Sequence, residues 1–109
     1  MVNYNSTFVN TSSYVSTPLK LAVAVRALRH AFDMSQTELA DLANCSRPTI
    51  NRIESIDKAS PRTDTIERLM QVFRDRGVEI QITDSEVLIR FSTEAINSAT
   101  KTSTGSSEK

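Results

Sequence analysis

The run Ser46-Arg47-Pro48-Thr49-Ile50-Asn51-Arg52-Ile53-Glu54 carries hydrogen-bonding chemistry of one kind. Helical spacing turns Ile50 and Ile53 to one side and Arg47, Pro48, Asn51 and Arg52 to the other. A guanidinium offers a planar fork of donors that matches O6 and N7 of guanine. A carboxamide matches the donor–acceptor edge of adenine, and a proline ring can meet a thymine methyl. On the first turns of a helix, that set is suited to reading base edges in a groove. Equipment for catalysis is missing by comparison. There is no Ser-His-Asp order and no glycine-rich nucleotide loop. The lone His30 has no second ligand at metal spacing and reads as a solvated side chain. Neither a metal nor a cofactor is expected, and the chain reads as non-enzymatic.

The elements that must position this set can be read from their ends. Ser35 with Glu38 three residues on is a capping box, which starts a helix at Gln36. Leu39, Ala40, Leu42 and Ala43 give that helix an apolar face. Asn44 tolerates the left-handed conformation of a tight turn. Ser46 then caps the next helix, and Pro48 is acceptable in its first turn, where the N–H groups have no intrahelical partner.

The pattern Ser-Gln-x-Glu-Leu-Ala followed by Ser-Arg-x-Thr-Ile-x-Arg-Ile-Glu resembles the helix-turn-helix of the phage repressor and Cro family. This is the lambda-repressor-like or XRE group, and the resemblance runs from about Leu21 to Gly77. It departs at Asn44, where the family usually has glycine, and in the loop after Glu54, which lacks the usual glycine. The resemblance implies a helical, lambda-repressor-like domain, and with the alternating strands that follow it the fold class is mainly α, a four-helix domain followed by a C-terminal β-hairpin. The resemblance also implies sequence-specific binding of double-stranded DNA by a transcriptional repressor, in the cytoplasm of a bacterium or encoded by a phage. Arg47, Pro48, Asn51 and Arg52 would then read bases, while Gln36, Ser46, Thr49, Lys58 and Arg62 would hold phosphates. Arg29 and Glu54 match positions that form a structural ion pair in the family. Cys45 takes a turn position where the family prefers a small apolar residue. A second reading, from the similarity in plan to HipB-like antitoxins, is a chain that holds a toxin and autoregulates its operon.

Around this centre the chain divides into four parts. Residues 1–16 are rich in Asn, Ser and Thr, with Tyr4, Phe8 and Tyr14 scattered among them, and read as a disordered tail. The domain spans 17–77. Thr17-Pro18 starts its first helix, and Leu21, Val25, Leu28 and Phe32 form that helix's buried stripe. Met34 fills the core. Thr63 to Arg76 reads as a last helix, with Ile66, Leu69, Met70 and Phe73 inward and Gly77 as its stop. At Val78 the period changes to two. With a turn at Asp84-Ser85, or a Thr83–Glu86 loop, Val78 faces Phe91, Ile80 faces Ile89 and Ile82 faces Val87. Those six share one face, and the other pairs Glu79 with Arg90. An isolated hairpin is marginal, so the six-residue face is expected to meet a second copy and make a homodimer. Residues 92–109 read as a mostly disordered tail with a short helix at its start.

Composition sets the bounds. Thirteen basic and thirteen acidic residues leave no net charge, so attraction to nucleic acid must come from local placement. Between Pro18 and Gly77 ten Lys/Arg stand against eight Asp/Glu. A single cysteine allows no internal disulfide and fits a reducing compartment. No apolar run approaches the ~18 residues of a membrane span.

Overall fold

The computed structural model describes residues 16–56 and 61–107. Among them it has helices α1 (Thr17–Ala31), α2 (Gln36–Ala43), α3 (Arg47–Glu54) and α4 (Thr63–Arg74), a hairpin of β1 (Val78–Ile82) and β2 (Val87–Phe91), and α5 (Thr93–Ser107). The fold is thus mainly helical with an antiparallel hairpin, as expected.

Local chemistry explains the helix ends. Ser16 rather than Thr17 caps α1, accepting from the Leu19 N–H, so the helix starts one residue earlier than Pro18 suggested. The capping box of α2 is complete. Ser35 Oγ accepts from the Glu38 N–H at 3.0 Å, and Glu38 Oε1 accepts from the Ser35 N–H at 2.7 Å. Asn44 closes α2 in the left-handed region at φ 58°. Ser46 Oγ accepts from the Thr49 N–H at 3.2 Å and opens α3.

The core lies where α1, α2, α3 and α4 meet. Leu21, Val25, Leu28 and Phe32 of the α1 stripe are buried, with Leu39, Ile50, Ile53, Leu69, Met70 and Phe73. Met34 and Cys45 are half-buried against this cluster. Two expectations shift. Leu42 is half-exposed, because the face centred on Leu39, Ala40 and Ala43 lies roughly 105° of helix rotation away from it. Ile66 is only partly buried, and Thr65 and Val72 are buried on the same helix.

The hairpin has the register read from the sequence: Val78 opposite Phe91, Ile80 opposite Ile89, and Ile82 opposite Val87. Its connection is the four-residue loop, with the Thr83 N–H donating to Glu86 O at 2.9 Å and the Glu86 N–H to Thr83 Oγ1 at 3.1 Å. What covers the apolar face differs from the expectation. Val78 is buried, and Ile80, Ile89 and Phe91 pack against the chain's own helical core. The Phe91 ring stacks on Phe32 with centroids 6.1 Å apart, and Phe32 touches Phe73 at the same distance. Four of the six residues of that face are therefore covered at least in part within the chain. Ile82, 37% exposed, and half-buried Val87 lie at its outer end. The buried Lys20 of α1 holds the hairpin loop, donating through Nζ to the carbonyls of Thr83 and Asp84.

Gly77 joins α4 to β1 at φ 91°, and its carbonyl accepts from the Ser92 N–H. A Cβ there would lie 2.4 Å from Ser92 Oγ and 3.1 Å from the Ala95 nitrogen, so α5 sits directly on this glycine. The chain after Ser92 is not the mostly unstructured tail its composition suggested. Ser92 Oγ accepts from the Ala95 N–H, Ala95 is fully buried, and the helix runs on to Ser107. Of the expected N-terminal tail, residues 1–15 lie outside the described residues, Tyr4, Phe8 and Tyr14 included.

Candidate nucleic-acid interface

Helix α3 has two sharply different sides. Ile50, Ile53 and Glu54 are buried, while Arg47, Pro48, Asn51 and Arg52 are exposed. Among the described residues the side chains of Arg47, Asn51 and Arg52 make no hydrogen bond or ion pair. The first turn of α3 carries no acidic residue, so the positive end of its dipole is not neutralised from within the helix. Arg47 stands at that end, where a cation opposes the dipole and costs stability. The helix itself gains nothing from this placement. An anion or an electronegative edge docked from outside would.

The other end of α3 is bolted down. Arg29 Nε donates to Glu54 Oε2 at 2.7 Å and Arg29 Nη2 donates to Oε1 at 2.9 Å, a two-pronged ion pair across α1 and α3. Arg29 Nη1 also donates to Met34 O at 2.9 Å, at the turn between α1 and α2. Gln36 Nε2 donates to Glu54 Oε1 at 3.1 Å. One carboxylate thus ties the start of α2 and the end of α1 to the end of α3. Burial alone would push the Glu54 carboxyl up, but the bonds from Arg29 and Gln36 outweigh it and hold it below its ordinary value. The same bond from Glu54 raises Arg29 against the opposing effect of burial.

The residues assigned to phosphates are less uniform. Ser46 and Thr49 share a hydroxyl contact of 2.9 Å at the start of α3, and Ser46 is also its cap. Gln36 is half-buried and already holds Glu54, which leaves its amide only partly free for an outside acceptor. Arg62 is exposed at the start of α4, and its Nε donates to Asp64 Oδ1 at 3.3 Å. Lys58 lies outside the described residues. Arg68, which the sequence did not single out, also reaches this region. Its Nε donates to Ala43 O at 2.8 Å and its Nη1 to Asp64 Oδ2 at 3.2 Å. A single arginine among many on an amphipathic helix gives no sign in sequence that it reaches across to another helix's end. Cys45, in the turn, has its thiol pushed up by burial, with Arg68 pulling the other way.

No helix among the described residues is long and apolar enough to cross a membrane. Nor do three His, Cys, Asp or Glu side chains among them gather as a metal ion would need.

Two short helices joined at a left-handed Asn44, the second anchored by its buried face and outwardly unpartnered among the described residues, make up a DNA-binding helix-turn-helix module. The chain belongs to the helix-turn-helix domain family, whose sequence model matches residues 20–80, more than half of its length. No curated protein and no solved structure matches the chain.

Proposed function

We propose that this chain is a sequence-specific regulator of the phage repressor and Cro type, which represses transcription by occupying an operator. The observation that carries the proposal is the outward row Arg47, Pro48, Asn51 and Arg52, exposed and without partners among the described residues, on a helix held firmly from behind. In this reading α3 lies in the major groove. Arg47 and Arg52 bond guanine, Asn51 bonds adenine, and Pro48 touches a thymine methyl. Ser46, Thr49, Gln36, Lys58 and Arg62 position the protein on phosphates, helped by the capped helix N-termini.

One such helix reads too few bases to stand out against competing genomic sites. Two copies therefore bind a palindromic operator as a homodimer, with recognition helices about 34–36 Å apart on successive major grooves. The outer end of the hairpin, Ile82 and Val87, is the part of the strand face left for contact between copies. The test is selection of bound fragments from random double-stranded DNA by the purified protein. A palindrome with half-sites one helical turn apart is expected. Recovery of fragments with no shared motif would rule out sequence-specific reading.

A further inference from the structure

We infer that Arg68 is a positioning residue for the recognition helix: from α4 it latches the turn between α2 and α3, and so fixes the angle at which α3 is presented. The inference rests on the DNA-binding reading of α3 for its functional consequence, but its structural half stands alone.

The turn needs a latch. It passes through Asn44 at φ 58°, a conformation that an L-residue with a side chain adopts at some cost. The last carbonyls of any helix lack intrahelical donors, and the negative end of the dipole collects there. Helix α2 is only eight residues long and has no basic residue in its own last turn. Arg68 provides what α2 lacks. Its Nε donates to Ala43 O at 2.8 Å, and its Nη2 reaches Asn44 O at 3.5 Å. The guanidinium is held in place by Asp64 one turn earlier on α4, at 3.2 Å. The fork thus spans the final residue of α2 and the left-handed residue after it. Cys45 and the Ser46 cap of α3 follow directly. With Glu54 fixing the far end of α3, Arg68 fixes the near end.

The turn contains its own reporter, because Cys45 is the chain's single cysteine and is half-buried beside Arg68. Its alkylation rate in the full chain measures how often the turn opens, independently of DNA. The variants are Arg68→Met, which removes both donors and charge, and Arg68→Lys, which keeps the charge and one donor centre. Arg68→Met is expected to alkylate faster than wild type at denaturant concentrations where circular dichroism remains native. Arg68→Lys is expected to fall between the two. Loss of the Arg68 charge raises the thiol pKa and by itself slows alkylation at fixed pH, so a faster rate reports opening.

On DNA selected by the wild-type protein, Arg68→Met is expected to lose about five- to tenfold in affinity, the low end of what one misplaced base contact costs. Affinity for unrelated DNA and the salt slope should stay as they were. Partial rescue by lysine supports the latch. Unchanged alkylation in both variants overturns it. So does uniform weakening on every sequence with a salt slope flatter by about one, which is the mark of a phosphate contact. If the wild-type chain selects no DNA site, the reading of α3 fails, and the alkylation series still decides whether Arg68 latches the turn.

Discussion

Helix α3 and the β-hairpin follow one plan: each turns isoleucines toward the core and a row bearing charged side chains outward, although the hairpin's outer face also carries the exposed Leu88. The two rows differ in what they bond. On the hairpin, Arg90 Nε donates to Glu79 Oε1 at 3.0 Å directly across the strands, so the charges complete one another. On α3, Arg47, Asn51 and Arg52 have no partner among the described residues, and Arg47 opposes the helix dipole. A self-paired row belongs to a scaffold. An unpaired row whose first cation costs its own helix stability makes sense as a surface completed by something else. The contrast implies that changes behind α3 and beneath the hairpin should act on stability. Changes on α3's outward row should act on binding, and changes on the hairpin's outward row should do little.

The largest effect is expected behind α3. Glu54 is 6% exposed, and removing it leaves Arg29 without its main partner. Glu54→Ala should lower stability by about 3 kcal/mol, the lower end of what breaking a buried pair from one side costs. Melts of Arg29→Ala, Glu54→Ala and the double variant form the check. Additive losses would show that the pair is not coupled, and the picture of α3 as a bolted element would fail. The same carboxylate sets a pH dependence. Its pKa is depressed in the folded chain, so its contribution is fully present above the unfolded value of about 4.3. That contribution is lost as pH falls through the lower folded value. Urea midpoints taken downward from pH 6 should therefore drop more steeply for wild type than for Glu54→Gln.

Beneath the hairpin, Phe91→Ala should destabilise the isolated chain by about 2 kcal/mol, less than the about 3–5 kcal/mol of a fully enclosed phenylalanine, since Phe91 is only half-buried. Its ring stacks on Phe32 within the same chain, so the loss should not depend on protein concentration. Melting across a hundredfold dilution series is the measurement. A loss that grows on dilution would return the hairpin face to an intermolecular role.

How much of this was legible follows from how far each signal reaches along the chain. The capping box at Ser35–Glu38, the left-handed Asn44 and the Ser46 cap are decided within four residues, and all appear as read. The strand register is also local, because alternation and loop length fix it together. What covers the strand face depends on Phe32, nearly sixty residues earlier, and alternation carries no information about that. Leu42 misled because apolar character does not say where on an eight-residue helix the face is centred. The extent of α5 was hidden by its Ser/Thr-rich composition, while its anchor, the fully buried Ala95, looks like any other alanine in sequence. At the site, the exposed row was readable from helical spacing. The grip of Gln36 on Glu54 and of Arg68 on the turn was not, since each joins residues eighteen or more apart.

On the outward row of α3 the expected effect is different in kind, on binding rather than on stability. Arg47→Ala or Arg52→Ala should each cost about 1–3 kcal/mol of binding on the selected site and relax base choice at one position. Thermal stability should be unchanged, or slightly higher for Arg47→Ala, because the cation leaves the positive end of the dipole. Lys58→Ala or Arg62→Ala should instead weaken all sequences alike and flatten the salt slope by about one. Base-by-base binding profiles of the four variants separate the two classes. Arginine variants of α3 that bind the selected site like wild type would place recognition elsewhere.

The smallest effect is expected on the outward face of the hairpin, and it tests the contrast from its quiet side. Arg90 and Glu79 are 72% and 68% exposed, so water screens their attraction and both long side chains lose freedom when they pair. Cross-strand neighbours of opposite charge contribute only a few tenths of a kcal/mol over alanine when so exposed, about 0.5 kcal/mol at most. Arg90→Ala and Glu79→Ala should therefore each shift stability by no more than that, and the charge-swapped double variant Glu79→Arg with Arg90→Glu should restore it. Removing Arg90 deletes a cation, as removing Arg47 does, yet DNA affinity should hold for the first and fall for the second. If charge alone drew this chain to nucleic acid, the two deletions would weaken binding equally. Titrations of the Arg47→Ala and Arg90→Ala proteins on the same selected fragment, at two salt concentrations, would then coincide, and the division between a surface that binds and a surface that only pairs would be lost.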